Sequence, residues 1–263
     1  VARLLLITHE FSMTGAAWQL FRLGTYLVER GHTVHVFVSP EFQGPKFEGP
    51  LRARFEASGM PVVGRFVPKA FDLAIANTIY AAPVLVSLVS RIRTVWWVHE
   101  GEIGLELFLK FPHLHRLFPA CAQIVFQTTF QRDDVYRSLM LDVPAERVSI
   151  IPNGIEAHRQ VEPMPRHKPL RIVCVGTICP RKQQSDLIVA VASLKRDDVE
   201  CVLLGRVHVG FPPRILSIVQ ARPDVFRVLG EVDPAAVAGY YAGSDIFSLP
   251  STSESQPLTA LEA

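Results

Sequence analysis

Glu254 and Glu262, with seven residues between them, stand in the closing stretch D-I-F-S-L-P-S-T-S-E-S-Q-P-L-T-A-L-E-A, 245–263. A carboxylate in a loop just past a strand can accept hydrogen bonds from sugar hydroxyls. A second one on the following helix can hold another hydroxyl pair. Upstream, G-T-I-C-P-R-K at 176–182 sets Arg181 and Lys182 near a helix start. There they oppose the helix dipole, so the placement is costly unless an anion joins them. A diphosphate would satisfy both cations and the open amides of the helix start; a solvated basic pair is the plainer alternative. His99 follows the apolar run T-V-W-W-V, 94–98. An imidazole at a strand's carboxyl end can donate to a sugar hydroxyl or phosphate oxygen, and its charge is adjustable near neutral pH. It can equally bond a neighbouring carbonyl, with Glu100 orienting it or merely solvated.

Such groups need strands that end at a common edge. Val1 to Thr8 is a near-continuous apolar run, the mark of a central parallel strand. A loop and a helix over about 16–30 follow, closed by Gly31, and then a strand at 33–38, which together make a β-α-β unit. Residues 40–64 predict a loop and an amphipathic helix. Further strands are expected at 73–76, 95–98, 123–127 and 149–151, before the turn Pro152-Asn153-Gly154. The polar stretch 156–169, with three prolines, has the character of a linker. Beyond it the pattern restarts with a strand at 170–175, the turn residue Gly176, a helix to about 194, strands at 201–204 and 225–229, and a helix at 234–242. Ile246, Phe247 and Leu249 have the look of a buried parallel strand closed by Pro250. A polar loop from Ser251 to Gln256 then leads into a helix start at Pro257 and Leu258. The division expected is therefore 1–155, linker 156–169, and 170–263.

The chain has 263 residues, 49% of them hydrophobic and 20% charged, ordinary values for a soluble enzyme of one large or two medium domains. A net charge of +2, with +2 before Glu156 and 0 from there on, does not mark a nucleic-acid binder. Cys121, Cys174, Cys179 and Cys201 show no C-x-x-C spacing; Cys174 and Cys201, inside apolar strand-like runs, predict small buried hydrophobes in a reducing compartment, with neither a disulfide frame nor a zinc site. With no signal peptide at the start and no spanning apolar run, a cytoplasmic location is expected. The loop E-F-S-M-T-G-A-A after the first strand has one glycine, so a dinucleotide fingerprint is unsupported. The segment 101–118 is rich in Leu and Phe. If exposed, its apolar face would meet a lipid-linked acceptor at a membrane surface; otherwise it packs on its own sheet. His113 and His115, two apart, do not make a metal pair.

The joint order of P-N-G, G-T-x-x-x-R-K, the D-I-F-S-L-P-S strand and E-x7-E resembles the retaining glycosyltransferases of family 4, of the GT-B fold. The resemblance is most specific from Ile151 onward. It implies an α/β protein with two Rossmann-like parallel-sheet domains facing across a cleft, the second incomplete here. It implies a nucleoside-diphosphate-sugar donor, an acceptor hydroxyl on a glycan, glycolipid or glycoside, and retention at the anomeric carbon. No cofactor is expected and, without a D-x-D motif, no metal. Arg181 and Lys182 would neutralise the leaving diphosphate, Glu254 hold donor-sugar hydroxyls, Glu262 the ribose, and His99 a sugar hydroxyl. Gly15 and Gly176 would let backbone approach the donor, Asn153 would stand where the first domain ends, and Glu231 and Val232 would lie near the base. Pro257 and Leu258 would open the helix behind the donor loop. Where the family has glycine and an aromatic after the first Glu, this chain has Ser255 and Gln256, which alters that loop. The family's second domain runs past the second Glu, so the resemblance also implies either a truncated chain or completion of the fold by another chain or an oligomer. The alternative is a non-catalytic nucleotide-sugar-binding or scaffold subunit of the same fold. An epimerase would need an acid–base carboxylate pair that does not stand out.

Overall fold

The computed structural model describes residues 1–39, 41, 47–155 and 161–263. The chain divides into two compact units, Val1–Asn153 and Gly154–Ala263.

Unit 1 runs β1 (Arg3–Thr8), α1 (Gly15–Glu29), β2 (Thr33–Val38), α2 (Leu51–Ala57), β3 (Val62–Val63), β4 (Leu73–Asn77) and α3 (Ala82–Leu88). It continues with β5 (Thr94–Trp97), α4 (Leu105–Lys110), α5 (Leu117–Ala120), β6 (Gln123–Phe126) and β7 (Val148–Ile150). Its sheet has the order β3-β2-β1-β4-β5-β6-β7, parallel throughout. Alternation along β1 divides the core into two layers. Leu4 and Leu6 pack with Leu20 of α1 and Leu51 and Phe55 of α2 on one face. Leu5 and Ile7 belong to the other face, with Leu85, Trp96, Phe118 and Phe126. Burial on both faces is why these strands are apolar at consecutive positions.

Two expectations change here. Val62–Val63 adds an edge strand where only loop and helix were expected, although Pro40 and residues 42–46 of that stretch lie outside the described residues. The Leu- and Phe-rich segment is partly packed on its own unit and partly exposed. Phe108, Leu114, Leu117 and Phe118 are buried, while Ile103, Leu109 and Phe111 stay exposed. No helix among the described residues is long and apolar enough to cross a membrane.

Unit 2 runs β8 (Leu170–Val175), α6 (Gln184–Ser193), β9 (Val199–Leu204), α7 (Pro213–Ala221), β10 (Phe226–Gly230), α8 (Pro234–Ala242), β11 (Ile246–Phe247) and α9 (Leu258–Glu262). The sheet order is β10-β9-β8-β11, again parallel. The strand expected to be buried at 246–249 is corrected: only Ile246 and Phe247 pair, with β8 alone, and Ile246 is 45% exposed at this edge. All four thiols are free. Burial pushes Cys121 and Cys201 up to about 12 and Cys174 up to about 11, so these three behave as small hydrophobes.

One ion pair sits wholly inside this unit. Arg171 of β8 and Glu200 of β9 are both 0% exposed, with Arg171 Nε donating to Glu200 Oε1 at 2.7 Å. Nη1 and Nη2 of the guanidinium donate to the carbonyls of Met164 (2.9 Å) and Pro165, and His167 N donates to Glu200 Oε1 at 3.1 Å. Asp245 accepts from Arg171 N at 2.8 Å and from Arg166 Nη1 at 2.9 Å. The latter part of the proline-rich stretch is thus bound to the sheet; its first part, 156–160, lies outside the described residues. A buried charge stripped of its partner is destabilising by about 3–5 kcal/mol. Arg171→Met is expected to cost that much, measured as a lowered urea midpoint, whereas Arg196→Ala at an exposed pair should cost under about 1 kcal/mol.

Candidate active site

In unit 2 the parallel strands end in loops that bring three charged side chains together. β8 is followed by Gly176, whose φ of +147° is open to glycine and rare for any side chain. The loop is then secured from several sides. Gly176 N donates to Leu204 O at 2.8 Å, Ile178 N to Arg206 O at 2.9 Å, and the buried Gln184 amide to Thr177 O at 3.0 Å. Arg181 and Lys182 lie on a short 3-10 turn, Pro180–Lys182, separated from α6 by Gln183 in the left-handed conformation. They therefore sit just ahead of the helix start, where the spacing puts them.

The loop after β11 meets them. Thr252 N donates to Arg181 O at 3.0 Å, and Arg181 Nη1 donates to Ser253 O at 2.5 Å. Glu254 Oε1 accepts from Arg181 Nη1 at 3.0 Å and from Lys182 Nζ at 2.6 Å. Burial opposes ionisation of this carboxyl, but the Lys182 and Arg181 cations and the Ser251 hydroxyl outweigh it and hold Glu254 below the usual carboxylate range. One carboxylate oxygen thus bonds both of the cations that the sequence left in want of an anion, and one positive charge remains in excess.

The other expected residues of this unit are distributed around that cluster. Ser255 and Gln256 continue the loop, half-buried, and Pro257 caps α9, which Leu258 begins. Glu262 does not share the cations; it accepts from Tyr241 OH at 3.4 Å. Burial and the Glu262 carboxylate both push that phenol well up. Glu231 is exposed beyond β10, while Val232 packs against the apolar cluster of Val173, Val202 and Tyr240. Gln184, Thr252 and Ser253, which hold the cluster in place, were not singled out in the sequence.

In unit 1 the polar residues gather where β1, β4, β5 and β6 end. His9 Nδ1 lies 3.1 Å from Thr78 Oγ1, and its Nε2 lies 3.4 Å from Glu10 Oε1. Glu10 also accepts from the Ser12 hydroxyl and from Thr14 Oγ1 at 2.5 Å. Burial would raise its pKa, but these partners outweigh it and the carboxyl is lowered. Thr78 adopts a φ of +71°, unusual for a β-branched residue, and is held there by Trp96 Nε1, which donates to its carbonyl at 2.8 Å. Asn77 Nδ2 donates to Ala16 O at 3.1 Å and ties the end of β4 to the first turn of α1, which exposed Gly15 opens. Asn153 closes the unit, half-buried.

His99 is corrected in its chemistry. Burial, with His9 adding to it, brings its pKa down to about 3, so it is neutral across the range in which it was expected to switch. Glu100 neither orients the imidazole nor stands in solvent; its carboxylate accepts from Ile79 N at 3.0 Å. Burial lifts the Glu100 carboxyl, and the Ile79 amide and His9 offset part of that rise. Among the described residues no group of three or more His, Cys, Asp or Glu could hold a metal ion.

A family model described as Glycosyltransferase Family 4 matches residues 13–159, and one described as Glycosyl transferases group 1 matches 169–263. No curated protein matches. Among solved structures the chain is similar to HepE of Anabaena in complex with UDP and glucose, at 17% identity and a TM-score of 0.75, over 100% of this chain and 78% of that one. It is similar to sucrose-phosphate synthase of Thermosynechococcus elongatus, at 16% identity and a TM-score of 0.70, again over 100% and 78%. A trehalose-6-phosphate protein of E. coli, bound with UDP-2-fluoro glucose, matches at 13% identity and a TM-score of 0.66, over 99% and 81%.

Because Glu254 is held below its unfolded pKa, its stabilising contribution is present above the unfolded value of about 4.3 and is lost as pH falls through the folded one. Glu254→Gln is therefore expected to lower stability by about 1–3 kcal/mol at pH 7. The gap between the two proteins in thermal unfolding should close as the solution is acidified past the folded pKa. A gap that stays constant with pH would contradict the charge pairing.

Proposed function

The chain belongs to glycosyltransferase family 4 and is built from two α/β units of the GT-B type, and from that premise we propose that it moves a sugar from a nucleoside-diphosphate donor to an acceptor hydroxyl with retention at the anomeric carbon. The observation that carries this is the Glu254 carboxylate seated on Arg181 and Lys182, groups 73 and 72 residues away from it in the chain. The two cations already hold one anionic oxygen, and a diphosphate offers several. On donor binding the cations pass to the phosphate oxygens, and Glu254 is released to accept hydrogen bonds from the sugar. That HepE is described with UDP and glucose makes such a donor the class to test first.

In the step itself the bond from the anomeric carbon to the leaving phosphate oxygen breaks, and a bond to the acceptor oxygen forms on the same face. The acceptor's proton passes to the departing phosphate. Arg181 and Lys182 stabilise the charge that develops there, so the leaving group needs no divalent ion. Glu262 holds the ribose hydroxyls, Glu231 and Val232 border the base, and His99 donates to a sugar hydroxyl. Gly15 and Gly176 give the diphosphate access to backbone amides, and Asn153, Ser255, Gln256, Pro257 and Leu258 line the approach. The free thiols fit a reducing compartment such as the cytoplasm.

A second reading, a nucleotide-sugar binder without transfer activity, is favoured by Ser255 and Gln256 in place of the family's glycine and aromatic. Transfer from labelled nucleotide sugars, with and without EDTA, separates the two. Arg181→Ala and Glu254→Ala should each lower transfer by about a hundredfold or more. Activity within about threefold of the parent in both variants would remove the cluster from the active site.

A further inference from the structure

The ends of β5 and β6 carry an amide lattice around His99. Gln131, 0% exposed on a π-helical turn, bonds through both ends of its side chain. Its Oε1 accepts from Gln127 N at 2.8 Å and Thr128 N at 3.1 Å, and its Nε2 donates to Val98 O at 3.2 Å and Glu100 O at 3.0 Å. The 98–100 and 127–128 segments are thereby clamped together, which fixes where the side chains of Gln127 and His99 meet. Gln127 is buried, and its Nε2 lies 3.2 Å from His99 Nδ1. Trp97 braces the imidazole from the side, with ring centroids 4.5 Å apart.

An amide NH2 can only donate, so Nδ1 has to be the bare, accepting nitrogen and the ring proton has to sit on Nε2. The opposite amide orientation would put the NH2 group where Gln127 Oε1 now lies, a buried place without a hydrogen-bond partner. A buried NH2 with two unmet protons is costlier than an under-satisfied carbonyl oxygen. Among the described residues, His9 from the loop after β1 acts on the ring, with Glu10 behind it, and the neighbouring Glu100 turns its carboxylate to Ile79 N.

We propose that Gln127 is a positioning residue that sets the tautomer of His99, so that the imidazole serves the transfer reaction as a neutral hydrogen-bond donor through Nε2–H. The tautomer stands on the lattice alone; its use rests on the proposed function.

The test is a long-range proton–nitrogen NMR correlation of the imidazoles in the full 15N-labelled chain between pH 5.5 and 8, with His99 assigned by its absence in His99→Gln. The expected spectrum has a protonated Nε2 and a bare Nδ1, unchanged over that range. Gln127→Glu offers only acceptors, so the proton should move to Nδ1, the ring should begin to titrate within the window, and kcat/KM for the donor should fall about tenfold or more. Gln127→Met, which neither donates nor accepts, should give a mixture of tautomers and an intermediate loss; it supplies the comparison if Gln127→Glu does not fold. A parent spectrum with the proton on Nδ1, or variants that leave the tautomer untouched, would overturn the assignment. A moved proton with undiminished transfer would overturn His99's role at the sugar while the tautomer assignment held.

Discussion

Two cations sharing one carboxylate is the constraint on which the loops of unit 2 depend. Arg181 and Lys182 reach their positions because β8 ends in a glycine turn, and Glu254 reaches its own because β11 runs parallel beside β8. Remove the carboxylate and two like charges remain side by side, one of them, Lys182, only 12% exposed. The hydrogen bonds of Thr252 and Ser253 to Arg181 show that the backbone is arranged for the same meeting. The cluster is a structural latch, and under the proposed function an arriving phosphate would replace the carboxylate without leaving either cation bare.

Unit 1 presents a different edge. Its carboxyl edge is built from amides, hydroxyls and two histidines, and the carboxylates of Glu10 and Glu100 are each occupied by protein donors. An edge of this kind suits recognition of an uncharged, hydroxyl-rich molecule by direction and shape. The difference between the two edges follows from which side chains each set of loops carries, since the sheets themselves are alike in direction and pattern.

Much of this was legible in the sequence, for reasons that can be named. The central strands of both units are buried on two faces, so their apolar runs are unbroken and easily located; β1 and β9 are the clearest cases. Arg181, Lys182 and Glu254 stood out because each follows such a run. The two-residue strand β3 and the half-exposed β11 carry too little pattern to be placed with the same certainty. The neutral state of His99 could not be inferred, because its cause is burial by groups far away in the chain. Thr78 was invisible for a related reason, since nothing in its neighbours announces a positive φ. Gln127 and Gln131, four apart and just past an apolar strand, did leave a trace: polar amides of fixed spacing at the place where a strand stops.

The Arg171–Glu200 pair bears on how the second half could be produced by itself. Composition puts the seam at Leu170, where the hydrophobic pattern resumes. A fragment cut there would lose the carbonyls of Met164 and Pro165 and the amide of His167, all of which close around that pair. Its interior guanidinium would be left half-solvated in an apolar setting. A fragment begun a few residues earlier, at Val161, keeps the whole arrangement, so the mechanical border of this half lies upstream of the border its composition draws.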